Sequence, residues 1–410
     1  MARPTIRVEI AFTTRPTEAP AWVDVSNDVR SVETNRGRNI ELDTIEAGTG
    51  TVVLDNRDRR FDPTNSAGPY YGYLVPMRRI RISAVWEGIT YPIFTGYVER
   101  WPLTYRGFDA TVEVPIVDGF KPLNLALLNT SYAQERSGSR VNHVLDDAGW
   151  TTGQSWLLGS SVNGVLGSTT IVGPVGDREV LTGSIDMQAS TLTNESALTH
   201  LQNVAETEDG LLFIGKEGQV VFYDRKRPYL PPYDTAAVTF GDGDGELPFS
   251  DVELSNDDAM LYNEVRVTRQ GGTAQMAQDT NAQLEYFRRT LTRSGLLFTT
   301  DASALGLAYT WLGRYKAPYV RASKLLFEAP LPDELWPALL KRELGDRIAV
   351  KFQPPGGGDR IEREVLVQGI SHRVTDEDWE IVLRTTPADA TAVWLLGTSQ
   401  LGVTTRPLAG

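Results

Sequence analysis

Two stretches of this chain share one pattern, and any fold for it has to accommodate both. The first, "RRIRISAVWEG…IFTGYVERWPLTYRGFDATVEVPIVD", starts at Arg78; the second, "DRIAVKFQPPGG…VLVQGISHRVTDEDWEIVLRTTP", starts at Asp346. Each opens with a basic-started strand and passes a glycine-containing turn. Each then enters a strand holding Gly96 or Gly369, with Arg100 or Arg373 four residues later, and closes on a further strand. Apolar and polar residues alternate in both, which turns one face of each strand to a core and the other outward. The echo predicts a duplicated β domain, although alternation in β proteins also imitates repeats.

Around the echo the chain divides into segments. In residues 1–125, "TIRVEIAF" and "GTVVLDN" join "RRIRISAVW", "IFTGYVERW" and "DATVEVPIVD" as five strands of a small barrel or sandwich. A helix is expected at "SRVNHVLDDAGW", where Val141, Val144, Leu145 and Ala148 share a face. Residues 151–193 are rich in Gly, Ser and Thr. A second helix is expected over 194–208, with Asn194 as N-cap, Leu198, Leu201, Val204 and Ala205 on its core face, and Gly210 at the exit. "GLLFIGKEGQVVFYDR" reads as a hairpin around a "KEGQ" turn. A last helix is expected from Asp301 to Tyr315, with Leu305, Ala308, Leu312 and Tyr315 inward. The fold class is therefore mainly β with some α (α+β): two similar β-barrel domains, at 1–125 and 251–390, and a mixed middle domain at 126–250. A Gly/Thr-rich C-terminal tail at 391–410 completes it.

Composition excludes several functions. The absence of cysteine removes disulfides, thiolate zinc sites and cysteine nucleophiles together. A net charge of −13 argues against a surface that grips nucleic-acid phosphates, while suiting a conduit through which DNA slides without sticking. No apolar run approaches the roughly 20 residues of a membrane span, and "MARPTIRVEIAF" lacks the apolar core of a signal peptide. The expected place of folding is a cytoplasm.

Nothing in the sequence has the pattern of an active site, and neither a metal nor a cofactor is expected. His143, His200 and His372 lie far apart, without metal-ligand spacing, and read as surface or packing residues. The serines of "GQSWLLG" and "GTSQLG" lack the strand–turn–helix setting of a nucleophile elbow. Glu206, Glu208 and Asp209 in "ETEDG" read as solvated turn acids, not as a glycosidase pair. Asp242, Asp244, Glu246 and Glu253 match positions 1, 3, 5 and 12 of a calcium loop, but Leu247 stands where that loop needs glycine. In "LDNRDRRFDP", Asp55, Asp58 and Asp62 alternate with Arg57, Arg59 and Arg60, which predicts a salt-bridged turn between strands. "WLLGSSVNGVLG" at Trp156 and "WLLGTSQLGV" at Trp394 form a second echo. Each either folds back on its own domain or docks a partner.

The run "VVLDNRDRRFDPTNSAGPYYGYLVPMRRIRI" followed by "FTGYVERWP" resembles the opening domain of minor tail or baseplate hub proteins of long-tailed phages. "ALTHLQNVAETEDGLLFIGKEGQVVFYDR" resembles their middle region; "LYNEVRVTR", "GDRIAVKF" and "VQGISHRV" resemble their third, and "WLLGTSQLGVTTRPL" a common ending. The resemblance implies a structural, non-enzymatic virion protein at the tail tip. That protein would be a homotrimer whose two barrels per chain make a pseudo-sixfold ring continuing the hexameric tail tube. Its implied partners are the distal tail protein, the tail tube protein, the tape measure protein and a central fibre or spike, with DNA passing through the channel. Ring contacts are expected at edge strands bearing Arg78, Arg79, Arg81 and Arg347, and partner contacts at Arg57, Arg59, Trp156 and Trp394. The alternatives are a distal tail ring or receptor-binding tail protein, and a tail-associated cell-wall hydrolase.

Overall fold

The computed structural model describes residues 2–150, 178–256 and 258–388; the Trp156 and Trp394 segments lie outside them. The alternating stretches form strands. In the first half of the fold these are β1 (Thr5–Ala11), β2 (Val29–Gly37), β3 (Thr49–Asp55), β4 (Arg79–Trp86), β5 (Ile89–Val98), β6 (Leu103–Arg106) and β7 (Asp109–Val117). Period two is plain in β7, where Val112, Val114 and Ile116 are buried while Asp109 and Glu113 are exposed.

Three helices follow: α1 (Phe120–Leu125), α2 (Ser137–Asp147) and α3 (Ala197–Glu208). The hairpin β8 (Leu211–Ile214) and β9 (Val220–Tyr223) comes after them. Ser196, not Asn194, caps α3 by accepting from the Thr199 amide; Asn194 instead sits at φ 51 in the preceding turn. At the exit Asp209 takes the left-handed conformation expected of Gly210.

The second half holds β10 (Thr239–Gly241) and β11 (Asp251–Ser255). A small sheet of β12 (Glu264–Arg269), β13 (Gln275–Gln278) and β14 (Thr290–Leu296) is inserted next, with α4 (Thr280–Tyr286) and α5 (Asp301–Tyr315). It has its own core, in which Val265, Val267, Phe298 and Trp311 meet. On α5 the buried face is Ala304, Leu307, Ala308, Trp311, Leu312 and Tyr315; Leu305 is only half-buried. Then come β15 (Arg321–Glu328), α6 (Leu335–Leu340), β16 (Arg347–Phe352), β17 (Ile361–Thr375) and β18 (Trp379–Pro387). The fold is mainly β with some α.

One sheet of 14 strands spans both halves. The first half runs β1-β4-β5-β7-β3-β2, with β6 continuing β5 along β7. The second runs β10-β16-β17-β18-β15-β11. Position by position the two orders correspond. Only the first pairing differs, since β1 lies antiparallel to β4 and β10 parallel to β16. The halves join edge to edge, β2 against the C-terminal part of β17, antiparallel from Gly37↔Gly369 to Ser31↔Thr375.

β2 was not among the expected strands. Its inward positions include Thr34 and Arg36, polar yet 1% and 5% exposed, so it lacks the apolar alternation that marks a strand. Its last residue, Gly37, adopts φ +92, and a Cβ there would lie 2.1 Å from the Gln368 carbonyl oxygen. Gly37→Ala is therefore expected to destabilise the chain by about 2 kcal/mol or more. Urea unfolding measures it, and a variant as stable as the parent would show that the junction tolerates a shift.

Candidate assembly interface

The hairpin turn between β8 and β9 is wedged where the two halves meet. Lys216 Nζ donates to the carbonyls of Leu340, Lys341 and Arg342, at 3.0, 3.0 and 3.3 Å, at the C-terminal end of α6 where the helix dipole is negative. The Lys216 amide donates to Glu343 Oε2 (3.1 Å), and Arg36 of β2 donates to Glu343 Oε1 (2.7 Å) and to the Ile214 carbonyl (2.9 Å). From β5, Thr95 Oγ1 donates to the Lys216 carbonyl at 3.0 Å. Elements from the first half, the middle and the second half are thus tied in one charged knot. Burial raises the carboxyl of Glu217 in the same turn, and its Oε2 has no hydrogen-bond partner among the described residues. Burial first, then Arg36 and Lys216, lowers His372 to about 3; its Nδ1 accepts from Trp379 Nε1 at 3.4 Å.

Among the open strand edges, one in each half lies at the position corresponding to a junction strand of the other half. β6 pairs only with β7, and β11 only with β15, among the described residues. Tyr105 on β6 is half exposed and donates its hydroxyl to Asp62 Oδ2 at 3.0 Å. Phe108, at the tip of the β6–β7 hairpin, is fully exposed. The Asp62 carboxylate also takes Arg59 (2.8 Å) and the Thr64 hydroxyl (2.6 Å), so the charged turn "LDNRDRRFDP" buttresses this edge. Burial acts to raise Asp62, but the bonds from Thr64, Arg59 and Tyr105 outweigh it and the carboxyl lies below its ordinary value.

A cleft of about 160 Å³ lies where the middle elements, the inserted sheet and the second half converge. Its five arginines, Arg38, Arg225, Arg227, Arg293 and Arg314, are matched by Glu41, Asp43, Glu206, Asp209 and Asp224, so the wall carries no net charge. Of the acids of "ETEDG", Glu206 and Asp209 line this cleft, with Glu206 partly exposed, and only Glu208 is shut off from solvent. Glu208 is fully buried and accepts from Ser137 Oγ (2.7 Å) and the Ile185 amide (3.0 Å). Glu206 pairs with Arg293 at 2.7 Å, and Asp209 accepts from Trp311 Nε1 at 2.9 Å. Each of the three carboxylates takes at least one donor from within the chain, which gives it a structural role.

The expected site residues fall in several places. Arg79 and Arg81 lie on β4, which is flanked by β1 and β5 and is an interior strand, not an edge; Arg81 forms a buried two-pronged pair with Glu9. Arg347 begins β16, flanked by β10 and β17, and donates to Glu364 (2.8 Å) and the Pro228 carbonyl (2.8 Å). With both backbone edges of β4 and β16 occupied, only side chains remain there for a partner. Arg78 donates to the Thr14 carbonyl (2.7 Å). Arg57 pairs with Asp55 (2.8 Å), whose carboxyl that bond, against burial, helps hold at about 2. Asp242 and Glu246 share Arg360, while Glu253 stands apart on β11 opposite Lys324. His143 is exposed beside Glu135 (2.7 Å), and His200 is buried beside Arg140 (3.3 Å). The open edges were missed because β6 is only four residues long and β11 reads as part of an acidic loop. The signal available was the echo of "SVET" (31–34) in "DVEL" (251–254).

No family model matches this sequence, and no curated protein matches it. Solved structures do match. The 43 kDa tail protein of prophage MuSo2 from Shewanella oneidensis superposes with a TM-score of 0.58 at 13% identity, over 94% of this chain and 99% of that one. The tail protein from Neisseria meningitidis MC58 gives 0.57 at 10%, over 93% and 96%. A chain of the lidded Francisella PdpA–VgrG complex gives 0.50 at 9%, over 96% of this chain and 54% of that one. At such identities the likeness is one of fold. The chain has the fold of phage tail proteins, in line with the hub family that its sequence resembles. No helix among the described residues is long and apolar enough to cross a membrane.

Glu343→Gln leaves Arg36 without its carboxylate and is expected to destabilise the chain by roughly 3 kcal/mol in urea unfolding; a loss below about 0.5 kcal/mol would show the knot to be dispensable. His372, folded near 3 against 6.5 unfolded, takes up its proton first in the unfolded chain. Stability carried by this group is complete above pH 6.5 and is lost as pH falls towards 3. His372→Gln should flatten the acid limb of stability against pH by close to one proton, and an unchanged slope would overturn the assignment.

Proposed function

We propose that this chain is a structural, non-enzymatic virion protein, the trimeric hub of a phage tail tip or baseplate. The observation that carries the reading is the pair of corresponding sheet halves within one chain. A threefold ring of such chains presents six equivalent units, which is what contact with a hexameric tube requires. On this reading the chain divides at about residues 125, 250 and 390, as the sequence suggests. The hub meets the tail tube, distal tail and tape measure proteins on one side and a central fibre or spike on the other. It is assembled in the host cytoplasm and carried in the virion.

The charge on the sheet's outward face supports a channel role. The exposed charges there include Glu33, Asp109 (paired with half-buried Arg30), Glu113, Asp251 and Glu253, against Arg106 and Arg373. A wall with this excess repels DNA phosphates and lets the genome pass unbound. Arg57, Arg59 and the Trp156 and Trp394 segments are the proposed contacts with neighbouring tail proteins.

Copy number tests the proposal. Light scattering on the purified chain, and electron microscopy of tail tips with its density located, should both give three copies. Six copies at the tip would identify a distal ring instead, and absence from the tail would overturn the reading altogether.

A further inference from the structure

The junction inside the chain is a template for the junction between chains. From it we infer that β6 of one copy pairs antiparallel with β11 of the next, with Arg106 facing Asp251. The inference rests on the ring reading above, because it supplies the contact that closes the ring.

The register follows from the correspondence of the halves. The β6–β7 hairpin closes at Arg106↔Asp109 around Gly107 and Phe108, and the β17–β18 hairpin closes between Thr375 and Asp378 around Asp376 and Glu377. Arg106 therefore corresponds to Thr375, Tyr105 to Val374 and Thr104 to Arg373. On the other strand, Val112 faces Leu54 as Ile381 faces Phe327, so Val52 corresponds to Leu325. Val32 faces Val52 and Val252 faces Leu325, so β2 residues 31–33 correspond to β11 residues 251–253. Within the chain Thr375 faces Ser31, Val374 faces Val32 and Arg373 faces Glu33. Carried to the open edges, these pairs become Arg106 with Asp251, Tyr105 with Val252, and Thr104 with Glu253 of the neighbouring copy.

Two features make the second copy the fitting occupant. The facing residues are complementary, a cation opposite an anion and an aromatic ring opposite a β-branched side chain. Both charged groups are also exposed and uncommitted. Arg106 enters no ion pair among the described residues, and Asp251 accepts only the amide of Val252 (2.8 Å). An open edge of this kind is a template for another strand unless it is covered, and here it would also shelter Phe108 at the tip.

The chain's lack of cysteine gives a clean background for the test. Directly opposed residues of an antiparallel pair have Cα atoms about 4.5–5.5 Å apart, within disulfide reach. A double variant, Arg106→Cys with Asp251→Cys, is oxidised both as purified chain and in assembled tails, then run without reductant. A covalent trimer, absent from either single variant, is the expected result. In parallel, Arg106→Asp and Asp251→Arg should each weaken trimer formation at least about tenfold, and the two together should restore it. Trimers by mass that neither cross-link nor respond to charge reversal would overturn the strand pairing and leave the hub reading standing. Cross-links that continue beyond three copies would uphold the pairing and overturn the trimer. Cross-linking of either single variant would indicate an isologous contact and overturn the pairing. Monomers in solution and in tails, with no cross-link, would overturn both.

Discussion

An ammonium group pressed against three carbonyl oxygens holds this molecule together. Lys216 closes the end of α6, and the Glu343 that follows the helix takes both the Lys216 amide and the Arg36 guanidinium. A cation and a carboxylate removed from water are costly unless each finds several partners. Here the partners come from three parts of the chain, so the knot forms only when β2, the β8–β9 turn and the α6–β16 loop are all in place. That makes the union of the two halves cooperative. The edge pairing of β2 with β17 supplies direction and register; the knot supplies the requirement that nothing else occupy the seam.

The two halves match in strand order but not in their free edges. β6 offers an aromatic and an arginine, while β11 offers an acidic pair around a valine. Such edges are self-complementary only between unlike ends, which favours head-to-tail association over a face-to-face dimer. The charged turn "LDNRDRRFDP" stands behind one of them through the Tyr105–Asp62 bond, so the salt-bridged turn expected from the sequence is also a brace for a strand.

Period two made the duplicated strands legible, because their inner positions are apolar in "RIRISAVW", "ATVEVPIV" and "WEIVL". The helix from Asp301 to Tyr315 was legible for the same reason at a different period. β2 was not, because its inner face includes Thr34 and Arg36, and the buried Arg36 finds its carboxylate in Glu343, some three hundred residues away in sequence. "KEGQ" reads only as the turn of a hairpin; its three-dimensional neighbours show that it is a wedge. The expectation of edges at Arg79–Arg81 and Arg347 failed on long-range order, since a strand's own residues do not reveal whether β1 or β10 lies beside it. Glu208 looked solvated and is fully enclosed, because its donors, Ser137 and Ile185, are distant in sequence.

The single departure from correspondence has a geometric meaning. β1 runs against β4, whereas β10 runs with β16. Reversing a strand exchanges its carbonyl and amide directions and reorders the side chains that it shows. A circle of three such chains would repeat six times along its shared strands but only three times along these flanking ones. A polypeptide in such a ring would offer one periodicity on its shared strands and half of it on the flanking ones, with the conversion written in the polarity of a single short strand.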